Sequence, residues 1–165
     1  MSENSYENVQ KAVEFIRTKT DQVSKIGIIC GSGLGGIGEI VTDKTVIPYR
    51  EIPGFASSEV VGHKSQLLIG KLNGVNVVCM QGRIHGYEGI PYSKCAFPIR
   101  VMHGLGARKM VITGAAGGLN PDYKVGDFMI IKDHLSLALW GGMNPLMGKN
   151  DDRFGPRFPA MQNFE

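Results

Sequence analysis

The sequence predicts an α/β fold on three observations. Two short apolar runs, Ile26-Gly27-Ile28-Ile29-Cys30 and Lys109-Met110-Val111-Ile112-Thr113, each open into a glycine-rich turn, as interior strands of an α/β sheet do. Two more runs, Gln66 to Leu72 and Val75 to Met80, flank Asn73-Gly74, a dipeptide suited to a two-residue hairpin turn. Helical periodicity precedes the first strand and returns after the hairpin.

Taken in order, residues 5 to about 20 read as an amphipathic helix. Val9, Ala12, Val13 and Ile16 recur at three- and four-residue spacing, with Glu7, Lys11 and Arg17 on other faces. The strand Ile26 to Cys30 follows, and the hairpin then delivers Gln81 to Glu88 at a strand exit. Tyr92 to Gly104 reads as a helix with Pro91 near its first turn and Gly104 and Gly106 closing it, while Pro98 predicts a kink or two pieces. Lys109 to Thr113 and Phe128 to Lys132 are the remaining predicted strands. From Leu139 to Glu165 no period is sustained, so a long irregular segment is expected. Residues 1–165 form one expected domain, and its irregular end reads as the first part of a longer protein.

Composition narrows the function. With 42% hydrophobic residues in 165 the chain can bury a core, and its 23 glycines sit in loops, not in a collagen period. A net charge of +3 with both signs interspersed argues against a nucleic-acid surface. No apolar run reaches the roughly 18 residues of a membrane span, and the first residues lack the pattern of an export signal. Cys30, Cys79 and Cys95 are odd in number and widely spaced, which suits reduced thiols in a cytoplasmic protein. The histidines and cysteines show no metal-ligand spacing, so no metal and no cofactor are expected.

The stretch Gln81-Gly82-Arg83-Ile84-His85-Gly86-Tyr87-Glu88-Gly89 carries the chemistry. Arg83, His85 and Tyr87 alternate, so on extended backbone their side chains share a face. A guanidinium is a planar fork that grips an oxyanion through two parallel bonds. Gly31-x-Gly33-x-x-Gly36 matches a dinucleotide fingerprint, but the residues after it leave no room for a full crossover helix and Glu51 lies in a proline-bounded loop. Ser32 and the neighbouring amides suit a phosphate instead. A nucleophile elbow at Ser32 fails on spacing, and Gly62-His63-Lys64-Ser65 is not a P-loop. His63 is a second candidate anion ligand, whereas His103 and His134 are read as structural.

These stretches, with Val61-Gly62-His63, Ala115-Ala116-Gly117-Gly118-Leu119-Asn120-Pro121 and Arg153-Phe154-Gly155-Pro156-Arg157-Phe158-Pro159, make the chain resemble trimeric purine nucleoside phosphorylases of the 6-oxopurine type. The resemblance implies a mixed β-sheet, part of it closing into a distorted barrel, flanked by helices. It implies phosphate binding by Ser32, His63, Arg83, His85 and the Ala115 amide, with Arg83 and His85 catalytic. Tyr87 would contact the ribose, and Phe158 would cover the sugar of a neighbouring subunit in a homotrimer. The implied reaction is phosphorolysis of inosine- and guanosine-like nucleosides to free base and ribose 1-phosphate, in purine salvage. Inorganic phosphate is then a co-substrate, and neither nucleic acid nor membrane is a partner.

Gly114 stands where the family has Asn, and the family's purine-binding residues fall in a C-terminal part outside these 165 residues. As it stands the chain is therefore expected to be catalytically very weak or inactive. Two other readings are an inactive phosphate-binding or subunit-interaction module and a methylthioadenosine phosphorylase of the same superfamily.

Overall fold

The computed structural model describes residues 4–57, 64–133 and 135–158. Helix α1 spans Tyr6–Arg17, and the Ser5 hydroxyl accepts the Asn8 amide at its start. Its apolar stripe of Val9, Ala12, Val13 and Ile16 is buried. Strand β1 is Ile26–Cys30, as expected. A short 3-10 turn, Gly35–Glu39, leads to β2 at Thr42–Pro48, a strand the sequence reading did not anticipate because charged residues break its period.

Strands β3 (Gln66–Leu72) and β4 (Val75–Gln81) form the expected hairpin. Asn73 and Gly74 take φ of +49° and +79°, both left-handed, which is the backbone of a type I′ turn. Helix α2, Tyr92–Gly104, is one continuous element despite Pro98, so the two-piece expectation is not realised. Strand β5 covers Lys109–Ile112.

The sheet order is β2-β3-β4-β1-β5. β1 is parallel to both β4 and β5, whereas β2, β3 and β4 run antiparallel to one another. The sheet is therefore mixed and, over the described residues, open with β2 and β5 at its edges, not a closed barrel. On one face α1 and α2 cover Ile29, Leu67, Ile69, Val78 and Met80, and on the other Ile28, Cys30, Val41, Leu68, Val77 and Cys79 pack together. Burial on both sides explains why the central strands read as unbroken apolar runs. All three cysteines are free thiols, and Cys30 and Cys79 lie buried with their sulfurs 3.5 Å apart. Their mutual hydrogen bond and burial push the Cys79 thiol up.

The expected strand Phe128–Lys132 is not formed, and Phe128 and Ile130 are almost fully exposed. A strand needs a neighbour to bond, and none of the described residues lines up beside this run. Among the described residues the later chain holds only a four-residue helix, α3 (Leu137–Trp140), and a 3-10 turn at Asp152–Phe154, in line with the expected irregular segment. Among the described residues no helix is long and apolar enough to cross a membrane.

Candidate anion site at the carboxyl ends of the parallel strands

Because β4, β1 and β5 are neighbours and parallel, their carboxyl ends lie side by side. The loops that begin at Gly31, Gly82 and Thr113 therefore leave the sheet on one edge, where open α/β sheets bind ligands. This is the gathering of three glycine-rich loops that the sequence predicts.

Thr113 ties the central and outer loops together. Its backbone amide donates to the Ile29 carbonyl at 3.0 Å, its hydroxyl donates to the same carbonyl at 2.9 Å, and the hydroxyl accepts the Gly31 amide at 2.9 Å. The Thr113 carbonyl in turn accepts Arg83 Nη1 at 3.3 Å, so the guanidinium reaches from the β4 loop to the β5 loop. Gly114 lies against it: a Cβ there would sit 3.4 Å from Arg83 Nη2. Glycine at this position lets the β5 loop approach the guanidinium with backbone alone. From the other side, the buried Tyr49 hydroxyl donates to the Gly82 carbonyl at 2.7 Å and fixes the turn into Arg83.

His85 is held by Glu88, which accepts from the His85 backbone amide at 2.8 Å and lies 3.1 Å from His85 Nδ1. A carboxylate at Nδ1 selects the tautomer with the proton there, which leaves the Nε2 lone pair to accept from Arg83 Nε at 3.4 Å. The Arg83 bonds to His85 Nε2 and to the Thr113 carbonyl are long, so an incoming oxyanion can replace them with shorter charge-assisted ones. The Tyr87 ring stacks on His85 with centroids 4.6 Å apart and is 75% exposed, so it faces outward over the imidazole.

The structure thus brings Arg83, His85 and Tyr87 together and sets Arg83 beside Thr113 and Gly114. Ser32 and Ala115 are exposed on the two adjoining loops, one residue beyond Gly31 and two beyond Thr113. His63 lies outside the described residues, as does His134. Phe158 is 86% exposed at the far end of the described chain. Sequence reading assigned no role to Glu88, Thr113 or Tyr49. The three-residue step from His85 to Glu88 was a usable signal, but the bonds of Thr113 and Tyr49 join residues too far apart in the chain to be read from it.

Glu88→Ala removes the group that orients His85 without touching the anion directly. It is expected to weaken phosphate binding about fivefold, the loss of one modest hydrogen bond. Calorimetric titration with orthophosphate checks this, and an unchanged Kd would show that Glu88 has no part in the site.

Comparisons with known proteins give this fold its family. Residues 25–165 match the family model of the phosphorylase superfamily, and the chain belongs to that family. It is 51% identical over 159 residues to a purine nucleoside phosphorylase of Anopheles gambiae, covering 96% of this chain and 45% of that protein. Among solved structures, isoform 2 of the purine nucleoside phosphorylase of Schistosoma mansoni, in complex with cytosine and ribose-1-phosphate, superimposes with a TM-score of 0.90 at 46% identity, covering 97% of this chain and 56% of that one. A Schistosoma mansoni purine nucleoside phosphorylase in complex with inosine superimposes at 0.89 and 48% identity, again over 97% and 56%. The chain spans about half the length of the relatives it matches.

Proposed function

We propose that this chain carries the phosphate-binding and ribose-facing part of a purine nucleoside phosphorylase, which converts nucleosides such as inosine and guanosine into free base and ribose 1-phosphate. The observation that carries the reading is the Arg83 guanidinium bridged to the β5 loop through Thr113, with His85 oriented beside it by Glu88. Two of the similar structures bind inosine or ribose-1-phosphate, which supports the substrate class.

The chemistry follows from charge. Breaking the bond between ribose C1′ and the purine builds positive charge on the sugar and negative charge on the base. Phosphate gripped by Arg83 and His85, and closed on by Ser32 and the Ala115 amide, would stand below C1′ as nucleophile and as the anion facing that centre. Placement and electrostatics then supply most of the rate gain. With Nδ1 bonded to Glu88, His85 Nε2 can accept the P–OH proton of monohydrogen phosphate. Tyr87, which stacks on His85, would contact the ribose.

His63 is proposed as a further phosphate ligand on the family resemblance. The exposed Phe158 side chain suits a role across a subunit boundary, and with it a homotrimer working in the cytoplasm in purine salvage. Inosine mixed with the protein and orthophosphate is expected to give hypoxanthine and ribose 1-phosphate in equal amounts, slowly, and only with phosphate present. Release of free ribose, or release that ignores phosphate, would overturn the reading.

A further inference from the structure

Gln81 ends β4 and is only 2% exposed, an unusual place for an amide. Its Nε2 donates to the Gly35 carbonyl at 2.7 Å and to Glu39 Oε1 at 2.9 Å, and its Oε1 accepts Gln66 Nε2 at 2.6 Å. The chemistry of the partners fixes this orientation. Gly35 O and a carboxylate can only accept, so the amide nitrogen must face them and the oxygen must face Gln66.

Close packing backs the amide, since a Cβ on Gly38 would come within 2.7 Å of Gln81 Cδ. Glu39 is paired in turn with Lys64, and the Lys64 ammonium first and the Gln81 amide second hold its carboxyl below the usual carboxylate range. One side chain therefore joins three segments of the chain. These are the 3-10 turn that follows Ser32, the start of β3, and the strand end two residues before Arg83.

We propose that Gln81 is a positioning residue that locks the Ser32 loop to the strand end carrying Arg83, so that the two sides of the anion site stand in a fixed relation before phosphate arrives. An apolar side chain of the same length would fill the space but remove the donor to the Gly35 carbonyl and to Glu39, and the loop would then move independently. Ordering that loop would become a cost of binding. The consequence for phosphate rests on the function proposed above, but the coupling of loop to strand does not.

Two readouts separate these layers. Hydrogen exchange followed by mass spectrometry tests the coupling with no ligand. In the unmodified chain the 31–39 segment is expected to be protected, and in Gln81→Met it should exchange at least about tenfold faster while the β3–β4 hairpin stays as it was. Gln81→Glu serves where the Met variant does not fold: it keeps the acceptor for Gln66, loses the donors and sets a second carboxylate against Glu39, so it should free the loop at least as far. Val101→Ala, a cavity in α2 within the core on the other face of the sheet, lowers stability as a control and should leave 31–39 unchanged.

Calorimetry with orthophosphate tests the consequence. Kd is expected to rise about tenfold in either Gln81 variant and less than about twofold in Val101→Ala. A 31–39 segment that exchanges freely in the unmodified chain, or equally in the Gln81 variants, overturns the lock. Unmodified protein that takes up no phosphate overturns the phosphorylase reading while the exchange data still decide the role of Gln81.

Discussion

Arg83→Ala is expected to weaken orthophosphate binding about 100-fold, the largest effect of any single change in the site. The guanidinium is the one fixed cation on the Gln81–Gly89 stretch, and it is already aimed at the β5 loop through the Thr113 carbonyl. A hydrogen bond to a charged group contributes about 1.5–3 kcal/mol, and a fork makes two of them to one oxyanion. Every 1.4 kcal/mol is about tenfold in Kd. Arg83→Lys keeps the charge but loses the planar fork, so it should recover only part of the affinity, to within about tenfold of the original. The contrast between the two variants separates shape from charge. Melting temperature should move little in either, because the side chain is only partly buried and its bonds to His85 and Thr113 are long. Calorimetric titration and thermal denaturation on the same samples check both points. Phosphate affinity within about threefold of the unmodified chain in Arg83→Ala would place the anion elsewhere.

What could be read from the residues alone was the part of the molecule with local causes. Helix α1 declares itself by its buried stripe, and the β3–β4 hairpin by Asn73-Gly74, whose positive φ angles the turn demands. Arg83, His85 and Tyr87 also sit within one short stretch and do meet, but Tyr87 reaches His85 from a 3-10 turn at Gly86–Glu88, not along the extended backbone that their alternation assumes. Long-range pairing was less visible. β2 pairs with β3 although its outer face is charged, so no apolar alternation announced it. The reverse error fell on Phe128–Lys132, an apolar β-branched run with strand propensity and no strand beside it in the described residues. Propensity makes a segment willing to pair, and only a neighbour makes it a strand. The supports of the site, Thr113 on Gly31 and Tyr49 on Gly82, depend on the same distant juxtapositions.

Gly31→Ala and Gly36→Ala should behave oppositely, although both glycines belong to one fingerprint. A Cβ on Gly31 would meet the Thr113 carbonyl oxygen at 2.3 Å and the Gly114 Cα at 2.9 Å. Both are backbone atoms, so no side-chain rotation relieves the clash. The β1 and β5 loops must separate, breaking the Gly31 amide bond to the Thr113 hydroxyl and with it the seat of Arg83. Overpacking of this kind costs about 1–3 kcal/mol, and for a chain of this length each kcal/mol lowers Tm by roughly 2–4 °C. Phosphate affinity should fall with it. At Gly36 an added Cβ meets nothing within 4 Å, so Gly36→Ala should change stability by less than about 0.5 kcal/mol. A dinucleotide site makes the contrary demand, because there the third glycine lets the helix pack closely on the strand. The 3-10 turn at Gly35–Glu39 offers no such helix, and the close approach has moved to the first glycine, where two parallel strands end together. Thermal melts and phosphate titrations of the pair decide the matter: a tolerated Gly31→Ala would mean that the β1 and β5 loops do not meet, and the anion site built on their contact would go with it.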